Sequence, residues 1–209
     1  MARVPGGVPA ELLRRPLRVI RPADAGAVYA HPRPEIARLT RSGVLHKLAT
    51  GYYAVVPEAS VGQPWQPSLE AAGLGMAAAD EGADTVAVMG VSAARLHGAL
   101  PRAVGVAVVA ALRHRRTLRL VDRAATVLFV RRKVADLDVQ RHSFDLGTGW
   151  VTTVEQTALD LIARPALGAV PDEAVAAARA LLPRADEDLL HDLAVAQRRC
   201  GTLVRFLDA

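Results

Sequence analysis

Between Val56 and Pro67 the sequence loses all periodicity, and Pro57, Gly62, Pro64 and Pro67 punctuate it. Regular structure cannot run through such a stretch, so a fold must be built from what lies on either side. The 209 residues divide into a small unit, 1–57, a linker, 58–67, and a larger unit, 68–209. A unit of this size is near the lower limit for independent stability, so the small one is expected to lean on its neighbour. No internal repeat or low-complexity tract is present.

Hydrophobic residues at 51% and charged residues at 22% are enough for a packed core. Cys200 is the single cysteine, which excludes an internal disulfide and a Cys-based zinc site. The longest apolar run, Ala103 to Leu112, is about half of the ~20 residues that cross a bilayer. The opening residues, with Arg3 and Pro5, lack the apolar stretch of a signal peptide. These features predict a soluble, intracellular, cytoplasmic protein without a membrane partner.

Charge is distributed unevenly. Residues 1–57 carry nine basic side chains (Arg3, Arg14, Arg15, Arg18, Arg21, Arg33, Arg38, Arg41, Lys47) against Glu11, Asp24 and Glu35, a net of +6. Residues 102–141 reach +7, whereas 58–101 and 142–209 are each −4, giving the total of +5. Two basic blocks in an acidic background point to a polyanion partner, most often nucleic acid. The predominance of Arg over Lys fits GC-rich codon usage.

The small unit reads as a helix over Pro9 to Arg15, a strand over Leu17 to Ile20, and a helix over Ala23 to Tyr29 started by Pro22. His31-Pro32-Arg33-Pro34 then breaks the chain. A third helix runs from Glu35 to Ser42 and stops at Gly43. Val44 to Leu48 and Tyr52 to Val56 form a hairpin around Ala49-Thr50-Gly51. That order is the order of a winged helix-turn-helix.

At 100° per residue Ile36 and Leu39 share one side of the third helix, while Pro34, Ala37, Arg38 and Arg41 share the other. An exposed helix with small residues beside arginines suits a major groove, where Arg reads guanine bidentately. Arg33 flanks this face. His46 and Lys47 on the hairpin suit the DNA backbone or the minor groove. Arg14 and Arg15 add to the same basic surface. The alternative is that these arginines merely solvate an outer helix face.

The larger unit alternates between β and α patterns. Helices are expected over Ser68 to Asp80, capped by Ser68, over Ser92 to His97, from Thr153 to Ala163, over Asp172 to Leu182 and over Asp186 to Arg199. Thr153-Val154-Glu155-Gln156 has the form of a capping box. Strands are expected over Thr85 to Met89, Val104 to Leu112, Thr126 to Val130, Val139 to Asp145 and Trp150 to Thr152. The fold class is α+β: an N-terminal winged helix-turn-helix, then a mixed α/β domain ending in helices. Its basic block, Arg113, Arg115, Arg116, Arg119, Arg131, Arg132 and Lys133, either keeps loop ends soluble or forms a second binding surface.

Catalytic patterns are weak. Gly90-Val91-Ser92-Ala93-Ala94 lacks the second glycine of a nucleophile elbow. Asp136 and Asp138 have the spacing of paired carboxylates, yet their context reads as a solvated loop. Neither Lys47 nor Lys133 has the acid one residue away that a carboxylate-plus-lysine nuclease needs. His31, His46, His97, His114, His142 and His191 show no ligand spacing. Glu155 and Asp160 fit the dipole and the outer face of their helix. The expectation is a binding protein, with no catalytic residue, metal or cofactor.

The segment Gly43-Val44-Leu45-His46-Lys47-Leu48-Ala49-Thr50-Gly51-Tyr52-Tyr53 resembles the G-x-L-x-R-L-x-x-G-x-Y wing of the AbiEi family, winged-helix antitoxins of abortive-infection (type IV) toxin–antitoxin pairs. Gly90 to Gly98 and Trp150 to Leu161 resemble that family's C-terminal domain. The likeness runs from about Pro22 to Arg199, and the Arg- and Ala-rich style suggests an actinobacterial member. Lys47 departs from the usual Arg, and the proline-rich turn before the third helix is a second departure. The resemblance implies an antitoxin that represses its own operon by binding inverted repeats in promoter DNA, monomeric in solution and cooperative on DNA. It implies a nucleotidyltransferase-like toxin as the cognate partner, with the C-terminal domain serving antitoxicity. From another class, the alternative is a module that neutralises a toxin by direct contact, with DNA binding secondary.

Overall fold

The computed structural model describes residues 8–208; Arg3, counted in the N-terminal charge, lies outside them, as does Pro5. The chain begins with α1 (Ala10–Leu13), a 3-10 turn (Pro16–Arg18), β1 (Val19–Ile20), α2 (Pro22–Ala25) and α3 (Pro32–Arg41). The hairpin β2 (Leu45–Ala49) and β3 (Tyr52–Val55) follows. The three strands pair antiparallel in the order β1-β3-β2, with an irregularity between Lys47 and Ala49. Leu17 was expected to open a strand, but it sits in a left-handed turn with Arg18 (φ 50° and 49°) and buries its side chain.

Beyond the linker come α4 (Leu69–Glu81), β4 (Ala87–Val88), α5 (Gly90–Leu96), β5 (Val106–Ala111), β6 (Leu118–Arg119), β7 (Thr126–Arg131), β8 (Val139–Phe144) and β9 (Gly147–Thr152). Four helices close the chain: α6 (Val154–Ala163), α7 (Pro171–Leu181), α8 (Glu187–Ala196) and α9 (Cys200–Leu207). The six strands form one mixed sheet in the order β6-β7-β5-β4-β9-β8. The architecture is α+β with two sheets, and among the described residues no helix is long and apolar enough to cross a membrane.

The apolar run of β5 is explained by burial on both faces. Ala107, Val109 and Ala111 pack on α4, while Val108 and Ala110 pack in the cluster of α5 to α9. Ser68 caps α4 as expected, its hydroxyl accepting from the Ala71 N–H. Thr153 caps α6 by accepting from the Gln156 N–H, but the box is half formed: the Gln156 amide bonds Gln197 at 2.6 Å instead. The helix expected over Asp186 to Arg199 stops at Ala196, and α9 follows as a helix that was not expected. Arg198 turns left-handed (φ 56°) and the Arg199 N–H returns to the Ala194 carbonyl at 2.7 Å.

The small unit has its own cluster, Leu12, Ile20, Ala25, Ile36, Leu39, Val44, Leu45 and Val55. It also shares the core of the large one: Leu17, Val19, Leu48, Ala49 and Ala54 bury against Ala71, Leu74 and Ala78 of α4. Gly75 makes this approach close, since a Cβ there would lie 2.4 Å from Val19 Cγ2. The backbone joins in as well, with the Val121 N–H donating to the Leu48 carbonyl at 2.9 Å. The units are therefore divided in sequence but continuous in packing.

Candidate nucleic-acid interface

Helix α3 starts three residues earlier than expected. Pro32 takes its first position and Pro34 its third, where no intrahelical acceptor awaits their missing N–H groups, so both prolines fit. Glu35 in the first turn and Arg38 and Arg41 in the last complement the helix dipole. Ile36 and Leu39 are buried, and Arg33, Pro34, Ala37, Arg38 and Arg41 are exposed on the outer side. The Arg38 Nε donates to Glu35 at 2.8 Å, an exposed pair that competes little with another anion. Arg41 reaches only its own helix, 3.4 Å from the Ala37 carbonyl.

The remaining candidates separate into free and engaged groups. Arg14 is exposed, whereas Arg15 pairs with Asp24 at 3.1 Å. Lys47 is exposed and lies opposite Tyr53 in the hairpin. His46 is a correction: its Nε2 lies 2.8 Å from Asp122, and Trp65 meets its ring edge to face. The neighbouring strand face is occupied by the loop after β6, so His46 is a tether between units and not a free contact.

In the second basic block Arg113, Arg116, Arg119, Arg131 and Lys133 are exposed. Arg115 and Arg132 are corrections. Arg115 pairs with Asp80, donates to the Tyr52 hydroxyl at 2.8 Å and stacks its guanidinium 4.0 Å from the Phe129 ring centre. Arg132 lies 3.4 Å from Asp160 and bonds Gln197 at 3.0 Å. Both are side chains of the core rim, spent on internal partners.

Asp160 and Asp138, expected on an outer face and in a solvated loop, are engaged, and so are Ser92 and His97. Asp160 is buried, its Oδ2 has no hydrogen-bond partner, and burial pushes its carboxyl above the ordinary range despite Arg132, Arg199 and Arg164. The same burial, together with Arg132, lowers Arg199. Asp138 accepts from the Thr153 hydroxyl at 2.7 Å and so braces the start of α6. Ser92 is wholly buried and its Oγ accepts from the Val108 N–H at 2.9 Å, a structural bond between α5 and β5. His97 bonds the Thr152 carbonyl at 2.7 Å. Among the described residues no three His, Cys, Asp or Glu side chains gather as a metal site would require.

Two carboxylates went unread in the sequence. Asp80 gathers Arg21, Tyr52 and Arg115, and Asp122 gathers His46 and Arg123. Burial raises the Tyr52 hydroxyl, and its bond to Asp80 adds to that. Burial also works to raise Asp122, but the Arg123 and His46 hydrogen bonds outweigh it and hold that carboxyl below its ordinary value. Spacing gives no signal for such contacts, because the partners of Asp80 are 28 to 59 residues away.

No family model and no curated protein matches the chain. A solved structure, described as the crystal structure of RV2827C protein from Mycobacterium tuberculosis, is similar at 22% identity with a TM-score of 0.56. The match covers 93% of this chain and 74% of that one. At this identity the likeness concerns the fold alone.

Proposed function

We propose that the chain is a sequence-specific DNA-binding protein, with a winged helix-turn-helix in the small unit and α3 as its reading helix. The observation that carries this reading is the outer face of α3. Arg33, Arg38 and Arg41 stand there with small Ala37 between them, while Ile36 and Leu39 anchor the opposite side. A helix so arranged fits the major groove and offers guanidinium groups to guanine and phosphate. Lys47 on the hairpin adds a backbone contact.

The biological role that goes with this reading is the one the AbiEi resemblance implies. The chain represses a toxin–antitoxin operon in the cytoplasm, binding without a cofactor and catalysing no reaction, and counteracts a nucleotidyltransferase-like toxin. A second reading, direct neutralisation of that toxin, is favoured by one observation: Arg113, Arg116, Arg131 and Lys133 remain exposed on the C-terminal unit. A nuclease footprint of the full chain on the DNA upstream of its own gene tests the first reading. Protection of a discrete inverted repeat is expected. Uniform, salt-sensitive protection along the whole fragment would sink the sequence-specific reading.

A further inference from the structure

We propose that Asp80 is a positioning residue that fixes the arginine-bearing helix α3 at one angle to the C-terminal unit. Asp80 stands near the end of α4, with its side chain largely buried. Its Oδ1 accepts from Arg21 Nη1 at 2.6 Å, and its Oδ2 accepts from the Tyr52 hydroxyl at 2.6 Å. Arg115, on the loop after β5, closes on the same oxygen at 2.5 Å and also donates to Tyr52.

The two partners in the small unit are attached to different strands. Arg21 directly follows β1 and Tyr52 opens β3, and these strands pair through Ile20 and Tyr53. A single carboxylate of the large unit thus holds the small sheet at two points. The apolar contact of Leu17, Val19, Leu48 and Ala54 with α4 supplies attraction, but attraction of that kind has no direction. Hydrogen bonds do, and they weaken steeply when the angle changes. The Val121–Leu48 bond and the His46–Asp122 pair both act on β2, so the directional bonds that hold the other edge of the small sheet, at Arg21 and Tyr52, converge on Asp80. Helix α3 packs on the same small sheet through Ile36 and Leu39, and therefore inherits its orientation.

The importance of this angle for DNA rests on the reading proposed above; the angle itself is measured without DNA. In a chain with Cys200→Ala, spin labels are placed on exposed sites through Ala37→Cys on α3 and Val195→Cys on α8. The distance between them is then read by pulsed electron resonance. With Asp80 present a single narrow distance is expected. Asp80→Asn should replace it with a broad distribution while circular dichroism stays unchanged, and Tyr52→Phe, which keeps both arginines on Asp80, should broaden it less. Should Asp80→Asn fail to fold, Tyr52→Phe decides alone. An unchanged distribution in a folded Asp80→Asn protein, or in Tyr52→Phe if only that variant folds, overturns the proposal. Lost DNA affinity in a folded Asp80→Asn protein whose distance is unchanged overturns the proposal as well, because the loss then does not pass through the angle. A broadened distance with unchanged DNA affinity upholds the positioning role and counts against the DNA reading alone.

Discussion

His46 on β2 and Asp122 in the loop after β6 lie 2.8 Å apart, although 76 residues separate them in sequence. Arg123 reinforces the carboxylate at 2.9 Å. These bonds hold Asp122 below its ordinary pKa, so it supports the fold fully above the unfolded value of about 3.9. That support is lost as pH falls through the lowered folded value. Asp122→Asn should therefore cost roughly 1.5–3 kcal/mol at neutral pH and flatten the acid limb of stability. Urea melts of both proteins from neutrality down to the acid limb check this; equal slopes would show that the pair is idle.

Asp160 predicts the opposite sign. Its carboxyl is raised in the folded chain, so it favours the fold most below the ordinary Asp value. That support disappears as pH rises through the ordinary value towards the raised one. Asp160→Asn should remove this decline and be at least as stable as the parent at neutral pH, since Arg132 keeps Gln197. A loss of 3 kcal/mol or so at neutral pH would mean that the Arg132 pair outweighs the burial.

The close approach at Gly75 gives a third expectation. The added methyl of Gly75→Ala must displace Val19, because 2.4 Å is far inside contact distance. Overpacking of this kind costs about 1–3 kcal/mol, against the helical gain of replacing Gly by Ala. Thermal unfolding of the variant measures the balance. A stabilised variant would mean that the two units separate easily at this seam.

Lys47 should act on affinity without acting on sequence choice. A phosphate contact positions the protein, so Lys47→Ala is expected to weaken binding to all duplexes alike and reduce the salt slope by about one. Titrations at several salt concentrations separate the cases. An unchanged slope with altered sequence preference would put Lys47 against a base.

The legible parts of this chain were those with local causes. Ile36 and Leu39 at helical spacing, Ser68 before α4 and the double-faced apolar run of β5 each follow from neighbours in sequence. The inner and outer sides of α3 could be read in the same way, although its start could not, because Pro32 and Pro34 can either break a helix or open one. The unread parts have distant causes. His46 looks like a free hairpin cation until Asp122 arrives from another unit, and Arg115 looks like one of several loop arginines until Asp80 and Phe129 enclose it. Asp160 reads as an outer-face residue because its partner is distant: Arg132, just after β7, reaches it and is itself bonded to Gln197 of the α8–α9 turn.

The proposed function stands on the outer face of α3 as the surface that reads DNA. Arg38 and Arg41 are exposed and form their hydrogen bonds within α3, so replacing both with Ala should leave the unfolding temperature close to the parent's. Each lost bidentate base contact costs on the order of 1–3 kcal/mol. The measurement is a mobility-shift titration of the parent and the double variant on the footprinted fragment, with excess unrelated duplex as competitor. The parent is expected to form a specific complex and the folded variant none. A folded Arg38→Ala, Arg41→Ala protein that shifts the fragment at the parent's concentration would contradict it.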